Sequence, residues 1–155
     1  GPDDLVALVG VHEVGVPGVV REPHAKPAER AGDLGRDVAE VLLAALEPTG
    51  FYVTDAGLLE SALARPRTTV FGQDAYESLE LKAAALMHSI IKNHPMIDGN
   101  KRTSYSAMQI FLGLNGYKVI AAVDSAFDFV IGVATDKYDL DQMAAWIKEH
   151  KTIRQ

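Results

Sequence analysis

Residues 79–114 read LELKAAALMHSIIKNHPMIDGNKRTSYSAMQIFLGL, two apolar runs joined by a short polar loop. The first run is apolar over most of a helix circumference, which predicts a largely buried helix over 79–93. This helix must end near Asn93, because Pro95 disfavours helical backbone at the residue before it. The second run predicts another buried helix over about 99–114. Two buried helices joined by a polar loop therefore form the centre of the predicted fold.

Further helices are predicted on both sides of this central pair. Upstream, residues 36–47 place apolar side chains on one helical stripe, and Thr54 or Asp55 can cap a short helix that runs through Ala64. Downstream, a helix is predicted to start at Asp124 or Ser125, and Asp139 is predicted to cap the last helix. These patterns predict an all-α bundle.

Two segments depart from the helical pattern. Residues 67–72 read RTTVFG, a β-branched and aromatic run closed by glycine, which predicts a short extended segment or hairpin. Residues 3–32 are rich in Val, Gly and Pro, and they follow a Gly-Pro pair that resembles the remnant of a cleaved tag. The predicted organisation is an N-terminal arm over 1–32, with at most one strand, and a helical domain over 33–155 that carries a small β element.

Composition excludes several classes of protein. The chain has 155 residues, of which 48% are hydrophobic and 23% charged, as is typical of one soluble domain. It contains no cysteine, which excludes disulfides and cysteine-ligated metals. The net charge of −6 argues against a general nucleic-acid binder. No apolar run reaches the roughly 18 residues of a spanning helix and no signal peptide is evident, so we expect no nucleic-acid or membrane partner and a cytoplasmic protein.

The segment HPMIDGNKRT, residues 94–103, has the composition of an anion site. The first turn of a helix has unpaired backbone N–H groups and a partial positive charge, and Gly99 allows a ligand close to the backbone. Lys101 and Arg102 oppose the helix dipole in its first turn, and each lowers the stability of the helix by a few tenths of a kcal/mol. That placement is favourable when an anion such as a polyphosphate is bound.

The same segment can supply metal and proton chemistry. Asp98 can hold Mg²⁺ against a polyphosphate, and the imidazole of His94 can take a proton from an attacking hydroxyl. Each residue also has an ordinary structural explanation, since Asp98 can serve as an N-cap and Asn100 can bond its own loop. The ten residues taken together favour the nucleotide interpretation.

This segment resembles the signature of the Fic/Doc (Fido) family, H-P-F-x-D/E-G/A-N-G/K-R. The flanking stretches GLLESALARPRTTVFGQDAY and QIFLGLNGY are similar to the Doc, or death-on-curing, branch. The resemblance covers roughly residues 34–150, but Met96 stands where the family usually has Phe. It implies an all-α fold with a small β flap, and transfer of a phosphate-containing group from a nucleotide to a protein hydroxyl.

The resemblance also implies roles for individual residues. His94 would be the general base and Asp98 the Mg²⁺ ligand. The phosphates of the nucleotide would be held by the helix N-terminus and by Gly99, Asn100, Lys101 and Arg102. The family's flap, which aligns a target segment by strand addition, would correspond to Thr68, Thr69, Val70 and Phe71.

Lys101 points to one branch of the family. Adenylylating members have Gly at this position, whereas Doc-like members have Lys and resemble kinases that place the γ-phosphate of ATP beside the histidine. The resemblance therefore implies a toxin that phosphorylates a Thr or Ser hydroxyl on a translation factor, elongation factor Tu, and pairs with a Phd-like antitoxin. The alternatives are nucleotidyl transfer (AMPylation), phosphotransfer to a small molecule in a biosynthetic pathway, and a non-catalytic Fido binding module.

Overall fold

The computed structural model describes residues 55–94 and 99–154, together with Ala44, which is helical. The predicted arm over 1–32 lies outside the described residues, as do loop residues 95–98 and the predicted helix over 36–47 apart from Ala44. Within the described residues, no helix has both the length and the apolar character needed to cross a bilayer.

The described chain is mostly helical, as the sequence predicts. The helices are α1 (Ala56–Ala64), α2 (Leu79–Asn93), α3 (Asn100–Leu114), α4 (Val123–Ala134) and α5 (Leu140–His150). The strands are β1 (Thr69–Val70), β2 (Gln73–Asp74), β3 (Tyr117–Val119) and β4 (Lys151–Ile153). β1 pairs antiparallel with β2, and β3 pairs antiparallel with β4.

Three helices begin at side chains that cap them. Asp55 accepts a hydrogen bond from the backbone N–H of Leu58, and Ser78 accepts one from Leu81. Asp139 and Gln142 form a reciprocal capping box at the start of α5. Each cap satisfies a backbone donor that the helix leaves unpaired, which is why the sequence predicts these starts correctly.

The start of α4 differs from the prediction. The helix begins at Val123, and its N-cap is Ala122, which makes no side-chain hydrogen bond, so neither Asp124 nor Ser125 is the cap. Asp124 lies instead in the first turn of the helix. A carboxylate in that position interacts favourably with the helix dipole without capping the backbone. Aspartate is therefore favourable both at the N-cap and in the first turn, and the sequence alone does not distinguish the two positions.

The core is built around α2 and α3. α2 packs against α1, α3, α4 and α5, and every residue of α3 from Thr103 to Leu114 is buried. Leu86 of α2 and Phe111 of α3, which lie on the apolar faces of these helices, are each 1% exposed. A helix that is buried around its whole circumference is central to the packing, which confirms the predicted pair of central helices.

A second β element was not predicted. β3 follows α3 directly, and β4 follows α5, so their pairing ties the end of the central helix to the C-terminal part of the chain. The backbone N–H of Arg154 extends the ladder by donating to the carbonyl of Gly116 at 2.9 Å. Each strand has only three residues and its partner is distant in sequence, so neither gives a hairpin signal.

Aromatic rings fill the contact between α4 and α5. The ring centroids of Phe129 and Trp146 lie 4.0 Å apart with the rings nearly parallel. Tyr138, in the connection between the helices, lies with its centroid 6.1 Å from that of Phe129. Its ring covers Gly132, where an added Cβ would lie 2.2 Å from Cε2 of Tyr138. Glycine is therefore required in α4 by the position of this ring.

We expect Gly132→Ala to destabilise the fold by about 1–3 kcal/mol, because the Tyr138 ring must leave its packed position. Gly57→Ala, at an exposed position of α1, is the matched control, since its nearest neighbour would be an Asp55 oxygen at 3.4 Å. That control should gain up to about 1 kcal/mol from helix propensity. Urea unfolding of both variants measures the difference, and equal changes in the two would contradict this account of Gly132.

Candidate functional site

His94 lies at the C-terminal end of α2 in a left-handed conformation. Its backbone angles are φ 47° and ψ 54°, its N–H donates to the carbonyl of Ile90, and its side chain is exposed. The preceding residue, Asn93, ties this end of α2 to α1 through a hydrogen bond to the carbonyl of Leu58 at 3.2 Å. A left-handed non-glycine residue costs about 1–3 kcal/mol and persists only where the surroundings impose it. The end of α2 thus holds an imidazole in a fixed backbone position.

The first turn of α3 carries the residues predicted to bind phosphate. Gly99 is the N-cap with φ 81°, and it contributes no side-chain capping bond. Asn100, Lys101 and Arg102 follow as the first residues of α3, with Lys101 exposed and the other two half-buried. The positive end of the helix dipole and two cations coincide here, which is the electrostatic arrangement of an anion site.

These two groups stand at opposite ends of one short loop. Even fully extended, the chain from His94 to Gly99 spans at most about 18 Å between Cα atoms. Asp98, the predicted Mg²⁺ ligand, and Met96 lie in this loop and outside the described residues. The described parts therefore bring the predicted base and the predicted phosphate-binding residues to neighbouring helix ends, while the metal ligand stays a prediction.

The segment predicted to be the flap is a hairpin. β1 and β2 are joined by Phe71 and Gly72, whose φ angles are both positive, 52° and 77°. Two central residues with positive φ are typical of the tight type I′ turn. The residues predicted for target docking, from Thr68 to Phe71, are all exposed, and the Phe71 ring is fully so. Within the described residues this sheet has two strands, so each has an outer edge to which a further strand can add.

Arg65 connects the base of this hairpin to α2. Its Nε donates to the hydroxyl of Tyr76 at 2.8 Å, and its guanidinium lies 5.4 Å from the centroid of the Tyr76 ring. Its Nη1 donates to Oγ of Ser89 at 2.8 Å and to Nδ1 of His88 at 2.9 Å. One side chain thus links the residue that follows the hairpin to two residues near the end of α2.

Lys82 makes a second connection from within α2. Although it is a lysine, it is only 1% exposed, and its Nζ donates to Oδ2 of Asp74 at 3.1 Å and to the carbonyl of Tyr76. Neither Lys82 nor Arg65 is predicted as a site residue from the sequence. The signal for Lys82 was present, because it lies on the apolar stripe of α2, three residues after Leu79 and four before Leu86.

His88 is a hydrogen-bonded residue of this network. Because an arginine can only donate, Nδ1 of His88 accepts the bond from Arg65 and the neutral ring carries its proton on Nε2. Burial, followed by the charges of Arg65 and Lys92, lowers the pKa of His88, while Asp136 opposes the shift. The network is therefore built for a neutral histidine.

We expect this histidine to make the fold less stable in mild acid. The unfolded chain binds a proton at His88 as the pH falls below about 6.5, whereas the folded chain resists it, so stability falls from that pH down to the lower pKa of the folded state. His88→Asn offers Oδ1 in place of Nδ1 and removes the titration. Urea unfolding between pH 7.5 and 5 should show a smaller acid loss in the variant than in the parent protein, and identical pH profiles would refute the assignment.

Comparison with known proteins places this geometry in a family. Residues 20–112, more than half of the chain, match the model of the Fic/DOC family. The chain is also 50% identical over 95 residues to the protein named Toxin Doc of Mycolicibacterium smegmatis (strain ATCC 700084 / mc(2)155), an alignment that covers 60% of this chain and 73% of that relative. No solved structure gives a significant match. By its sequence and by the helical bundle with its small hairpin, this chain belongs to the Fic/DOC family.

Proposed function

We propose that this protein is a Doc-like toxin that transfers the γ-phosphate of Mg²⁺-ATP to a Thr or Ser hydroxyl of another protein. By resemblance, the acceptor is a translation factor, elongation factor Tu, and the toxin is controlled by a Phd-like antitoxin. Family membership supports a transferase, and the similarity to Toxin Doc supports the toxin class.

The observation that carries the proposal is the pairing of His94 with the first turn of α3 across one short loop. A phosphoryl transfer needs a base for the acceptor hydroxyl and positive charge around the phosphates. His94, at the end of α2, is suited to the first task, and the dipole of α3 with Lys101 and Arg102 is suited to the second. His94 and the first turn of α3 thus support the proposal on both counts.

In the proposed step the acceptor oxygen attacks the γ-phosphorus while the bond from that phosphorus to the β,γ-bridging oxygen breaks and ADP leaves. The hydroxyl proton passes to the imidazole of His94. Asn100 and Arg102 hold the phosphate oxygens, and the N–H groups of the first turn of α3 face the same charge. Bound at Asp98, Mg²⁺ would neutralise phosphate charge. Since the protein forms no covalent bond in this step, catalysis rests on positioning and charge neutralisation.

Lys101 is the basis for preferring γ-phosphoryl transfer over nucleotidyl transfer. Its exposed side chain leaves the first turn of α3, while its carbonyl accepts a hydrogen bond from Oγ of the buried Ser104 at 2.6 Å. This bond fixes the backbone from which the lysine extends. A cation at this point attracts the more highly charged terminal phosphate and occupies space that a glycine would leave open.

Separate labelling of the α- and γ-phosphates of ATP tests this choice. With an acceptor protein present, we expect the γ-label to appear on a Thr or Ser of the acceptor and the α-label to remain in ADP. Lys101→Gly should lower γ-transfer at least about 10-fold, a loss of about 1.4 kcal/mol of transition-state stabilisation. Lys148→Gly, in the exposed part of α5, is the control and should retain activity.

Two other labelling results would favour the alternative functions. If the α-label alone reaches the protein, the enzyme is a nucleotidyltransferase and the kinase proposal fails. If neither label reaches any protein and binding to a partner persists in the His94→Ala variant, the chain is a non-catalytic binding module.

His94→Gly should abolish most of the phosphate transfer without lowering the stability of the fold. Glycine adopts the left-handed backbone at this position without strain, so the free energy of unfolding should stay equal or rise by up to about 1 kcal/mol. Transfer should fall by about 10²–10⁴-fold, because the base is gone. Chemical denaturation and the γ-label assay on one preparation measure both quantities.

Asp136→Gly is the matched control, because Asp136 also has positive φ, 62°, and lies in the connection between α4 and α5, from which it pairs with Lys92 of α2. It should leave transfer unchanged. A His94→Gly variant that transfers phosphate at the parent rate would show that His94 is not the base.

A further inference from the structure

The hairpin of β1 and β2 cannot hold its own position. It has two residue pairs, Thr69 with Asp74 and Val70 with Gln73, and all four residues are exposed. An isolated two-stranded hairpin is marginally stable in water, because it buries too little apolar surface to offset the entropy of ordering. Its order must therefore come from its attachment to the rest of the protein.

That attachment is made by two cations that meet at Tyr76. Arg65 donates to the hydroxyl of Tyr76 and Lys82 to its carbonyl, so that this residue is held at both its side chain and its backbone. Lys82 also pairs with Asp74, in β2 itself. In the other direction, Arg65 bonds to Ser89 on α2. The base of the hairpin is thus bonded to α2 at points five and twelve residues before His94.

The burial of Lys82 is not explained by stability. Removing an ammonium group from water costs several kcal/mol, and a buried ion pair is often no more stabilising than an apolar side chain of similar size. Its partner Asp74 is about half exposed, at 51%, so the pair is only partly shielded from water. A lysine in this position is better explained by the geometry that it imposes on the hairpin than by the free energy that it contributes to folding.

We propose that Lys82 and Arg65 are positioning residues that fix the docking hairpin relative to His94, with α2 as the rigid connection between them. The inference rests on the proposed function, in which the exposed edge of the hairpin aligns an acceptor segment of another protein. Lys82 lies twelve residues before His94, a rise of about 18 Å along a helix. This fixed separation determines which residue of a bound strand reaches the base.

Lys82→Met is the first test, because methionine fills a similar volume without the charge. We expect its stability in urea to equal or exceed that of the parent, and its affinity for ATP to be unchanged. The KM for the protein acceptor should rise, and kcat/KM for that acceptor should fall about 10- to 100-fold, as is usual when a reacting group is misplaced by about an ångström. Lys148→Met, which removes an exposed lysine of α5, is the control and should leave all three quantities unchanged.

Hydrogen exchange gives a readout that does not depend on activity. The amide of Ala75, which donates to the carbonyl of Thr68 at 2.8 Å at the base of the hairpin, should exchange at least about 10-fold faster in Lys82→Met, with α2 amides unchanged. Tyr76→Phe removes only the hydroxyl that accepts from Arg65 and should give a smaller change in the same direction.

The outcomes distinguish the two proposals. If the parent protein transfers phosphate but Lys82→Met and Tyr76→Phe both keep the parent KM and the parent exchange at Ala75, the positioning role is overturned. If no protein accepts phosphate from the parent while exchange at Ala75 accelerates in both variants, the proposed function fails and the anchoring of the hairpin stands.

Discussion

The packing of α2 against α3 is the constraint on which the rest of the structure depends. Both ends of the short loop that carries the signature belong to these helices, so the geometry of the proposed site is fixed by the core. α3 is buried from Thr103 to Leu114, and α2 contacts four other helices. Protein interiors packed to this degree behave as rigid bodies. A loop between two such helices starts and ends at positions that the core, and not the loop, determines.

This rigidity is compatible with the polar groups that both helices bury. Ser104 and Asn115 bond to carbonyls within the turn that precedes them, those of Lys101 and Phe111. Such short-range bonds satisfy these two donor groups without a partner on another helix. Lys82 and Ser89 differ, since Lys82 donates to the hairpin segment and Ser89 accepts from Arg65, both of which lie outside α2. Lys82, the buried cation of α2, therefore bonds to the hairpin segment and not to the other helices of the core.

The sequence predicts the helices well where a local signal marks them. Asp139 marks a helix start because its capping side chain bonds within its own turn, and Pro95 marks the end of α2 through its own backbone constraint. The pairing of β3 with β4 depends on the folded arrangement of α4 and α5, which no local pattern contains. The contacts of Arg65 were missed for the same reason, since its partners lie up to 24 residues away. For the site, the residues were identified from the motif, but their roles and the metal ligand Asp98 remain proposals.

Several locally unfavourable choices are concentrated around the proposed site. His94 and Phe71 both adopt positive φ without being glycine, the Phe71 ring is fully exposed, and Lys101 with Arg102 opposes the dipole of α3. Stability alone would select glycine at the first two positions and acidic residues at the other two. Sequences that agree with their fold elsewhere tend to break such rules at functional sites. Because the central helices are extensively buried, the fold can offset these costs, and a stable core is thus what permits an imidazole, an exposed edge and an anion site to be held in strained positions.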